Sequence, residues 1–517
     1  MNGKILWADD EIEHLRAHVM FLKEKGYDVT TVTNGGDAID EMDRDFFDIV
    51  FLDENMPGLS GLETLVKIKE KRPDVPVVMI TKSEEEMIME DAIGSKIADY
   101  LIKPVNPSQI LLALKKSLDS KRLVGDKAVS GYRQQFMELT NTISGAHDMD
   151  DWMEVYQRLI FWEVELQSAQ DPGMKGMLEA QKQEANRQFF KFVSNNYLDW
   201  LNPKNEKDAP VLSHTLFKQR IFPHLKDETP LYVIVVDNLR MDQWKTLRPI
   251  LSDYFNIVSE DGYCAILPTA TQYARNALFA GLMPSEIEKI YKDLWLNEND
   301  EGSKNQYEAE LLALQLKRLG YSKKSSYNKI TTLDAGKRLS ENFSNLSQNH
   351  LNVIVYNFVD MLSHARTDME VIKELAEDET AYRSLTVSWF RNSPLFDFIK
   401  KVAEKKGRLL ITTDHGSIRT QEPSQVIGDR NTNSNLRYKV GKNLNFKAKE
   451  VFAIAKPEQA YLPRVNVSST YIFAKEDMFF VYPNNYNQYV NQYRNTFQHG
   501  GISMEEMLIP LIYMEPK

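Results

Sequence analysis

The chain has 517 residues, of which 42% are hydrophobic, 26% charged and 10% aromatic; at roughly 150 residues per domain this is folded protein with several cores, which excludes a mainly disordered or fibrous chain. Lys and Arg number 63 against 74 Asp and Glu, a formal charge of −11, so non-specific coating of nucleic acid is excluded while a local site for one anionic ligand stays open. A single cysteine, Cys264, excludes a disulfide framework and a Cys-rich zinc module; no apolar run reaches bilayer-spanning length and the N-terminal one is too short for a signal peptide, so a cytoplasmic location is expected.

Residues 1–120 alternate short apolar, β-branched runs (4–8, 28–32, 48–52, 77–80 and 100–102) with stretches of helical length such as 59–71. That alternation predicts an α/β domain, a five-stranded doubly wound parallel sheet with ligands at the carboxyl ends of the strands. Over 121–207 the strand signal vanishes. Helical spacing over 130–144, 149–169 and 172–200, broken at Gly145 and at Pro172-Gly173, predicts a helical-bundle connector that carries no chemistry of its own. Residues 208–517 return to α/β texture, with strands expected at 231–236, 352–358, 408–412, 450–453 and 478–482 and a polar helix face over 484–495. One large α/β domain fits this length.

Two constellations carry chemistry. In the first domain Asp9 and Asp10 follow strand one, Asp53 follows strand three, Thr81 strand four and Lys103 strand five, which places all five on one rim. Crowded carboxylates repel unless a hard dication sits among them, and Mg²⁺ takes one or two carboxylates plus waters and phosphate oxygens. Asp53 is then a carboxylate nucleophile of the aspartyl-phosphate kind, with Lys103 and Thr81 meeting the phosphoryl oxygens. Lys103-Pro104 invites a cis peptide. An isolated Asp-Asp pair is ordinarily a strand-end cap; five residue types in this order are not.

These residues resemble the receiver domain of two-component response regulators, with Asp53-Glu54-Asn55-Met56-Pro57-Gly58 as the phosphoacceptor motif. The resemblance implies phosphorylation at Asp53, Mg²⁺ held by Asp9, Asp10, Asp53 and Asn55, a switch formed by Thr81, Tyr100 and Lys103, and a sensor histidine kinase as partner.

In the C-terminal domain Asp237, Asp360, His364, Asp414, His415 and His499 lie at or just after expected strand ends. Three Asp and three His without cysteine suit Zn²⁺ or Mn²⁺, and six ligands are too many for one zinc, so two metals are expected. Asp360 and His364 share a face if a helix starts there. Gly416 lets the chain turn after Asp414-His415. Thr271, in Pro268-Thr269-Ala270-Thr271, is a weak nucleophile until a metal lowers its hydroxyl pKa; two metals about 3.5–4 Å apart would also stabilise the leaving oxygen of an in-line displacement.

The order Asp, Thr, Asp-x-x-x-His, Asp-His, His resembles the alkaline phosphatase superfamily, and in detail a PglZ-type domain. Carried over to this chain, the resemblance implies one zinc on Asp360, His364 and His499, a second on Asp237, Asp414 and His415, and Thr271 bridging them as nucleophile. Sulfatase chemistry is not expected, because Cys264 lacks the Pro-Ser-Arg context. Arg275 and Arg240 are phosphate-contact candidates, Arg240 equally a structural residue, and Tyr273 and Tyr486 are of a type that stacks on a base. A receiver joined through helices to such a domain is similar to the PorX-type response regulators, a family linked to type IX secretion and gliding motility. The expectation is a regulator whose phosphorylation drives homodimer formation and controls a zinc-dependent phosphodiesterase acting on nucleotides or short oligonucleotides. The rival expectation is a ligand-sensing scaffold that acts through contacts with a sigma factor or secretion-system components.

Overall fold

The computed structural model describes residues 3–73, 75–82, 97–169, 171–298, 300–368, 378–429, 432–464, 466 and 468–517, and the side chains of 118–124, 168 and 364–368 lie outside it. The chain forms two compact units, one of residues 1–134 with 165–174, the other of 135–164 with 175–517. Among the described residues no helix is long and apolar enough to cross a membrane.

In the first unit β1 (Lys4–Ala8), β2 (Asp28–Val32), β3 (Ile49–Asp53), β4 (Val77–Thr81) and β5 (Asp99–Ile102) pair in parallel in the order β2-β1-β3-β4-β5. Strand residues alternate between faces. Leu6, Ala8, Val50, Leu52, Val77 and Met79 pack with Ala38 and Met42 of α2 (Gly35–Arg44) and with Leu65 and Ile68 of α3 (Gly61–Lys71). On the opposite face Ile5, Trp7, Ile49, Phe51, Val78 and Ile80 pack with Leu22 of α1 (Arg16–Glu24) and Ile110 of α4 (Pro107–Leu114). Each such side chain contributes about 1.5–3 kcal/mol when fully buried, so both layers are needed and the sheet is covered on its two sides. Helix starts follow local chemistry. Ser60 and Asn106 form capping boxes with Glu63 and Gln109, and Pro107 occupies the first turn of α4.

The connector helices are α5 (Ser120–Gly145), α6 (Met149–Glu165) and α7 (Pro172–Trp200). Helix α5 begins ten residues before the expected 130, because Gly125 and Gly131 weaken the helical signal without ending the helix. Trp152 of α6 packs on Phe189 and Phe192 of α7, with ring centroids 5.5 and 6.0 Å apart.

The large sheet of the second unit runs β7 (Phe255–Cys264), β18 (Leu508–Pro516), β10 (Arg408–Thr412), β6 (Leu231–Val236), β9 (Leu351–Tyr356), β8 (Ser325–Ile330). β10, β6, β9 and β8 are parallel, and β18 is antiparallel to both of its neighbours. Every residue of β6, β9 and β10 is buried, as expected of parallel strands covered on both faces. Small sheets lie beyond it: β11 (Ile418–Arg419) with β17 (Phe497–Gln498), β12 (Glu422–Gln425) with β16 (Met478–Val481), and β13 (Tyr438–Gly441) and β14 (Val451–Ile454) flanking β15 (Thr470–Ala474). Helices α8 (Met241–Leu251), α9 (Thr271–Ala280), α10 (Glu308–Arg318), α11 (Phe358–Asp368) and α12 (Glu379–Arg391) complete the frame around the site. The expected strand 352–358 ends at Tyr356, and Phe358 already opens α11, which puts Asp360 in a helix's first turn.

Candidate functional site

Parallel strand order brings the first constellation together. Asp9 and Asp10 follow β1, Asp53 ends β3, Thr81 ends β4 and Lys103 follows β5. Carboxylate oxygens of Asp9, Asp10 and Asp53 lie within 4.8 Å of one another. Lys103 Nζ stands 2.9 Å from Asp53 Oδ1 and 3.1 Å from Asp9 Oδ2, and the Lys103-Pro104 peptide is cis. Glu11 N donates to Asp9 Oδ1 at 2.8 Å. Asp53 Oδ2 is buried and accepts no hydrogen bond from the protein. Gly61 opens α3 where a Cβ would come within 2.4 Å of the Asp53 carbonyl oxygen, so the loop after the acceptor closes tightly. Thr81 is buried, Asn55 is exposed, and the half-buried Tyr100 ring packs on the core layer that includes Met56 and Met79.

Burial pushes the Asp53 carboxyl up to about 6, with the Lys103 ammonium opposing and the Asp9 charge adding to the rise. One ammonium among three carboxylates leaves net negative charge, and the unpartnered Asp53 oxygen faces it, so a hard dication fits this donor set. The sign of the pH effect follows. A carboxyl whose folded pKa exceeds its unfolded value near 3.8 binds its proton more tightly when folded. Its contribution to stability is present below that value and lost as pH rises through about 6. In chelated buffer Asp53→Asn is therefore expected to raise the melting temperature of the N-terminal unit at pH 7.5, with the gain vanishing near pH 4. Thermal denaturation across that range checks this, and an Asn variant no more stable at pH 7.5 would contradict it.

The second constellation also converges. Asp237 follows β6, Thr271 opens α9, Asp360 sits in the first turn of α11, Asp414 and His415 follow β10, and His499 follows β17. Asp237, Asp414 and His415 are fully buried, with ligand atoms within 4.8 Å of one another. His415 Nε2 is 3.0 Å from Thr271 Oγ1, 3.7 Å from Asp414 Oδ2 and 3.9 Å from Asp237 Oδ1. His499 Nε2 is 3.8 Å from Asp360 Oδ1, and its ring stacks on His415 with centroids 4.2 Å apart, so the two halves are contiguous. His364 lies on α11, but its side chain is outside the described residues.

Local contacts aim these groups. His415 Nδ1 faces the Gly416 carbonyl at 3.1 Å and His499 Nδ1 faces the Thr269 carbonyl at 3.1 Å. A carbonyl only accepts, so Nδ1 carries a proton in each ring and Nε2 is the nitrogen turned to the cluster. Thr269 Oγ1 donates to the Gly501 carbonyl and accepts from Gly500 N, each at 3.0 Å, which latches the His499 loop to the Thr271 loop. A Cβ on Gly416 would lie 2.0 Å from the Glu505 carbonyl oxygen, so only glycine lets the chain turn there. Thr271 opens a ten-residue helix, where the first-turn N–H groups and the dipole favour anionic oxygen.

The electrostatics test the fit of metals. Asp237 Oδ1 and Asp414 Oδ2 are buried and accept no hydrogen bond. Burial, then the Asp237 charge, pushes the Asp414 carboxyl well above its usual range, while burial is outweighed at Asp237 by the Arg275 guanidinium, which holds it low. Burial keeps His415 below its ordinary value and thus neutral. An imidazole nitrogen of His415 beside orphaned carboxylate oxygens is the donor chemistry a borderline dication takes.

Several single-residue expectations change. Arg275 is buried against Asp237 and Glu308, both at 2.6 Å, and so does not present its donors as a phosphate contact. Arg240 is structural, bound to Asp242 and Glu379 and lying over the Phe497 ring. Tyr273 is buried with its hydroxyl on Glu298 at 3.2 Å and offers no free face for a base, and Tyr486, half-buried, packs on a small core with Phe479 and Val490. Sequence reasoning missed Asn238, Thr413, Asn305 and Glu308. Asn238 has φ 64° and donates to Ser363 Oγ at 3.2 Å and Asp360 Oδ1 at 3.5 Å. Asn305 Nδ2 donates to the Thr271 carbonyl at 2.9 Å, and Thr413 Oγ1 donates to Asp414 Oδ1 at 3.3 Å. Asn238, which directly follows a candidate ligand and suits a left-handed position, had a local signal; Asn305 and Glu308 had none.

The His499 loop rests on a buried ion pair. Arg437 Nη2 and Nε meet Glu506 at 2.6 and 3.1 Å with both side chains fully buried, and Gly501 N donates to Glu506 Oε1 at 2.8 Å. Arg437→Met is expected to destabilise the second unit by about 3–5 kcal/mol, because it strands a buried carboxylate. Adding Glu506→Gln to it should recover part of the loss in calorimetry. A single variant within about 1 kcal/mol of the parent would refute this, since that is what an exposed pair contributes.

Comparison with known proteins divides the chain in three. Residues 216–514, more than half of the chain, match the family model of the BREX system PglZ alkaline phosphatase-like domain; residues 122–201 match the PorX response regulator linker domain, and residues 5–115 the response regulator receiver domain. The alginate biosynthesis transcriptional regulatory protein AlgB of Pseudomonas syringae pv. tomato is 36% identical over 121 residues, which are 23% of this chain and 27% of that protein. The transcriptional regulatory protein ResD of Bacillus subtilis is 33% identical over 115 residues, 22% of this chain and 48% of that one. This chain thus covers less than half the length of either relative. A receiver domain protein from Clostridium thermocellum has 28% identity over 23% of this chain and 97% of its own, with a TM-score of 0.22. The response regulator TrrA of Thermotoga maritima, solved with Mg²⁺ and BeF, has 30% identity over 22% and 98%, with a TM-score of 0.21.

Proposed function

The chain belongs to the family of PglZ alkaline phosphatase-like domains, preceded by a response regulator receiver and a PorX-type linker; from that premise we propose that it is a response regulator whose phosphorylation controls a metal-dependent phosphodiesterase acting on nucleotides or short oligonucleotides. Its modules are residues 1–120, 121–207 and 208–517. Asp53, with Mg²⁺ held by Asp9, Asp10, Asp53 and Asn55, takes a phosphoryl group from a sensor histidine kinase: a carboxylate oxygen forms the new bond to phosphorus as the donor's bond breaks. Lys103 neutralises the phosphoryl oxygens, Thr81 hydrogen-bonds them, and Tyr100 turns with Thr81. Phosphorylation favours a homodimer in the cytoplasm. The PorX-type linker supports a role in type IX secretion and gliding.

In the effector, Asp237, Asp414 and His415 would hold one zinc, and Asp360, His364 and His499 the other. Bound there, the metals would lower the pKa of the Thr271 hydroxyl and neutralise charge on the phosphoryl oxygens. Thr271 Oγ1 attacks phosphorus in line while the ester oxygen opposite it leaves. The helix N-terminus beneath Thr271 orients the remaining oxygens, and water later releases the phosphoryl group from Thr271. The observation that carries this reading is Thr271 Oγ1 at 3.0 Å from His415 Nε2, at the edge of a buried cluster of orphaned carboxylates. With Arg275 committed to protein carboxylates, no arginine among the groups described around Thr271 is left to clamp the extra charge of a monoester. Zinc-loaded protein is therefore expected to hydrolyse an aryl phosphodiester faster than the corresponding monoester, and a preference for the monoester would overturn the diesterase assignment.

A further inference from the structure

Arg275 lies one turn beyond Thr271 on α9, with its side chain 1% exposed. Its Nη1 donates to Asp237 Oδ2 at 2.6 Å and its Nε to Glu308 Oε1 at 2.6 Å, and Nη1 stands 3.9 Å from Asp414 Oδ2. Glu308 is equally buried; its Oε2 accepts the Tyr327 hydroxyl and pairs with Lys329 Nζ at 3.2 Å. Lys329 Nζ also donates to the Asn305 carbonyl at 3.1 Å, and Asn305 holds the Thr271 carbonyl. The guanidinium is thus held from both sides by carboxylates that are themselves fixed. Asp237 has one oxygen taken by Arg275, while the other, Oδ1, accepts no hydrogen bond.

We infer that Arg275, braced by Glu308, is a positioning residue that fixes Asp237 as a one-oxygen metal ligand and locks the Thr271 helix to the strand bearing that ligand. This rests on the reading that the Asp237–Asp414–His415 cluster holds a divalent metal. With Oδ2 bonded by Arg275, Oδ1 is the Asp237 oxygen that would be left to meet an ion, and the guanidinium restrains the carboxylate from turning. Any slip of α9 that displaces Thr271 also displaces Asp237. Partners of this kind that orient a ligand are typically worth about 10–100-fold in metal affinity.

The test measures zinc and cobalt(II) dissociation constants by chelator competition on the full chain, together with the cobalt(II) visible spectrum and inhibition by inorganic phosphate at saturating zinc. Arg275→Met and Glu308→Gln are expected to weaken metal binding about 10–100-fold and to alter the cobalt spectrum, Arg275→Lys to recover part of the affinity, and the phosphate inhibition constant to stay within about twofold once metal is saturating. Glu308→Gln keeps the side-chain shape and tests the brace even if Arg275→Met fails to fold. Parental metal affinity in Glu308→Gln and Arg275→Lys, with weakened phosphate inhibition in the latter, would overturn the inference and make Arg275 a phosphate clamp. A parent chain that binds no metal would instead sink the underlying reading of the cluster.

Discussion

Replacing Thr271 by alanine is expected to reduce hydrolysis of a phosphodiester by roughly 10⁴-fold or more, about 5 kcal/mol of transition-state stabilisation, as when the nucleophile of a covalent mechanism is removed. The loss should appear in kcat, because the groups that would bind phosphate and metal remain. Asp237, Asp414 and His415 are buried within 4.8 Å of one another and remain as ligands in the variant, so metal affinity should fall far less than turnover. Thr271→Ser retains the hydroxyl at the helix start and should keep measurable activity. Steady-state kinetics with paired metal titrations check this. An Ala variant within tenfold of the parent would remove Thr271 from the reaction.

The second large effect concerns the receiver. Asp53→Asn is expected to abolish phosphoryl uptake from a small-molecule donor such as acetyl phosphate, because an amide oxygen does not form the acyl phosphate and no other carboxylate shares its place at the end of β3. Asp9 and Asp10 remain as part of the cation site. Lys103→Ala removes the one ammonium that, among the described residues, pairs with Asp53 and Asp9, 2.9 and 3.1 Å away, and should slow uptake without eliminating it. Intact-mass spectrometry of the full chain reads both. Label that persists in Asp53→Asn would place the acceptor elsewhere.

The receiver was legible almost to the residue because its strands are short, apolar and separated by capped helices, each rule pointing the same way. The effector was legible only in part. β6 is a continuous apolar run, β9 is interrupted only by Asn352 and β10 has an apolar centre at 409–411, so all three stand out, and the candidate ligands follow them. β18 was overlooked because Pro510 interrupts it. It is nonetheless an interior strand in which Pro510 pairs with Gly262 and its carbonyl accepts Thr412 Oγ1 at 2.8 Å, against the usual confinement of proline to edges. β7 reads Phe-Asn-Ile-Val-Ser-Glu-Asp-Gly-Tyr-Cys, half-exposed along most of its length, so polar residues mask the strand. β8 is an edge strand with a largely polar face. The carboxylate partners of Arg275 were not legible for a different reason. An arginine beside a nucleophile suggests phosphate, and only the tertiary fold brings Glu308, 33 residues on, to take its other side.

The most direct test of the central claim is the initial rate of aryl phosphodiester hydrolysis by the full chain, measured zinc-loaded, after chelation and after zinc is restored. The account predicts turnover that chelation removes and zinc restores. Turnover that survives complete removal of the metal would contradict it.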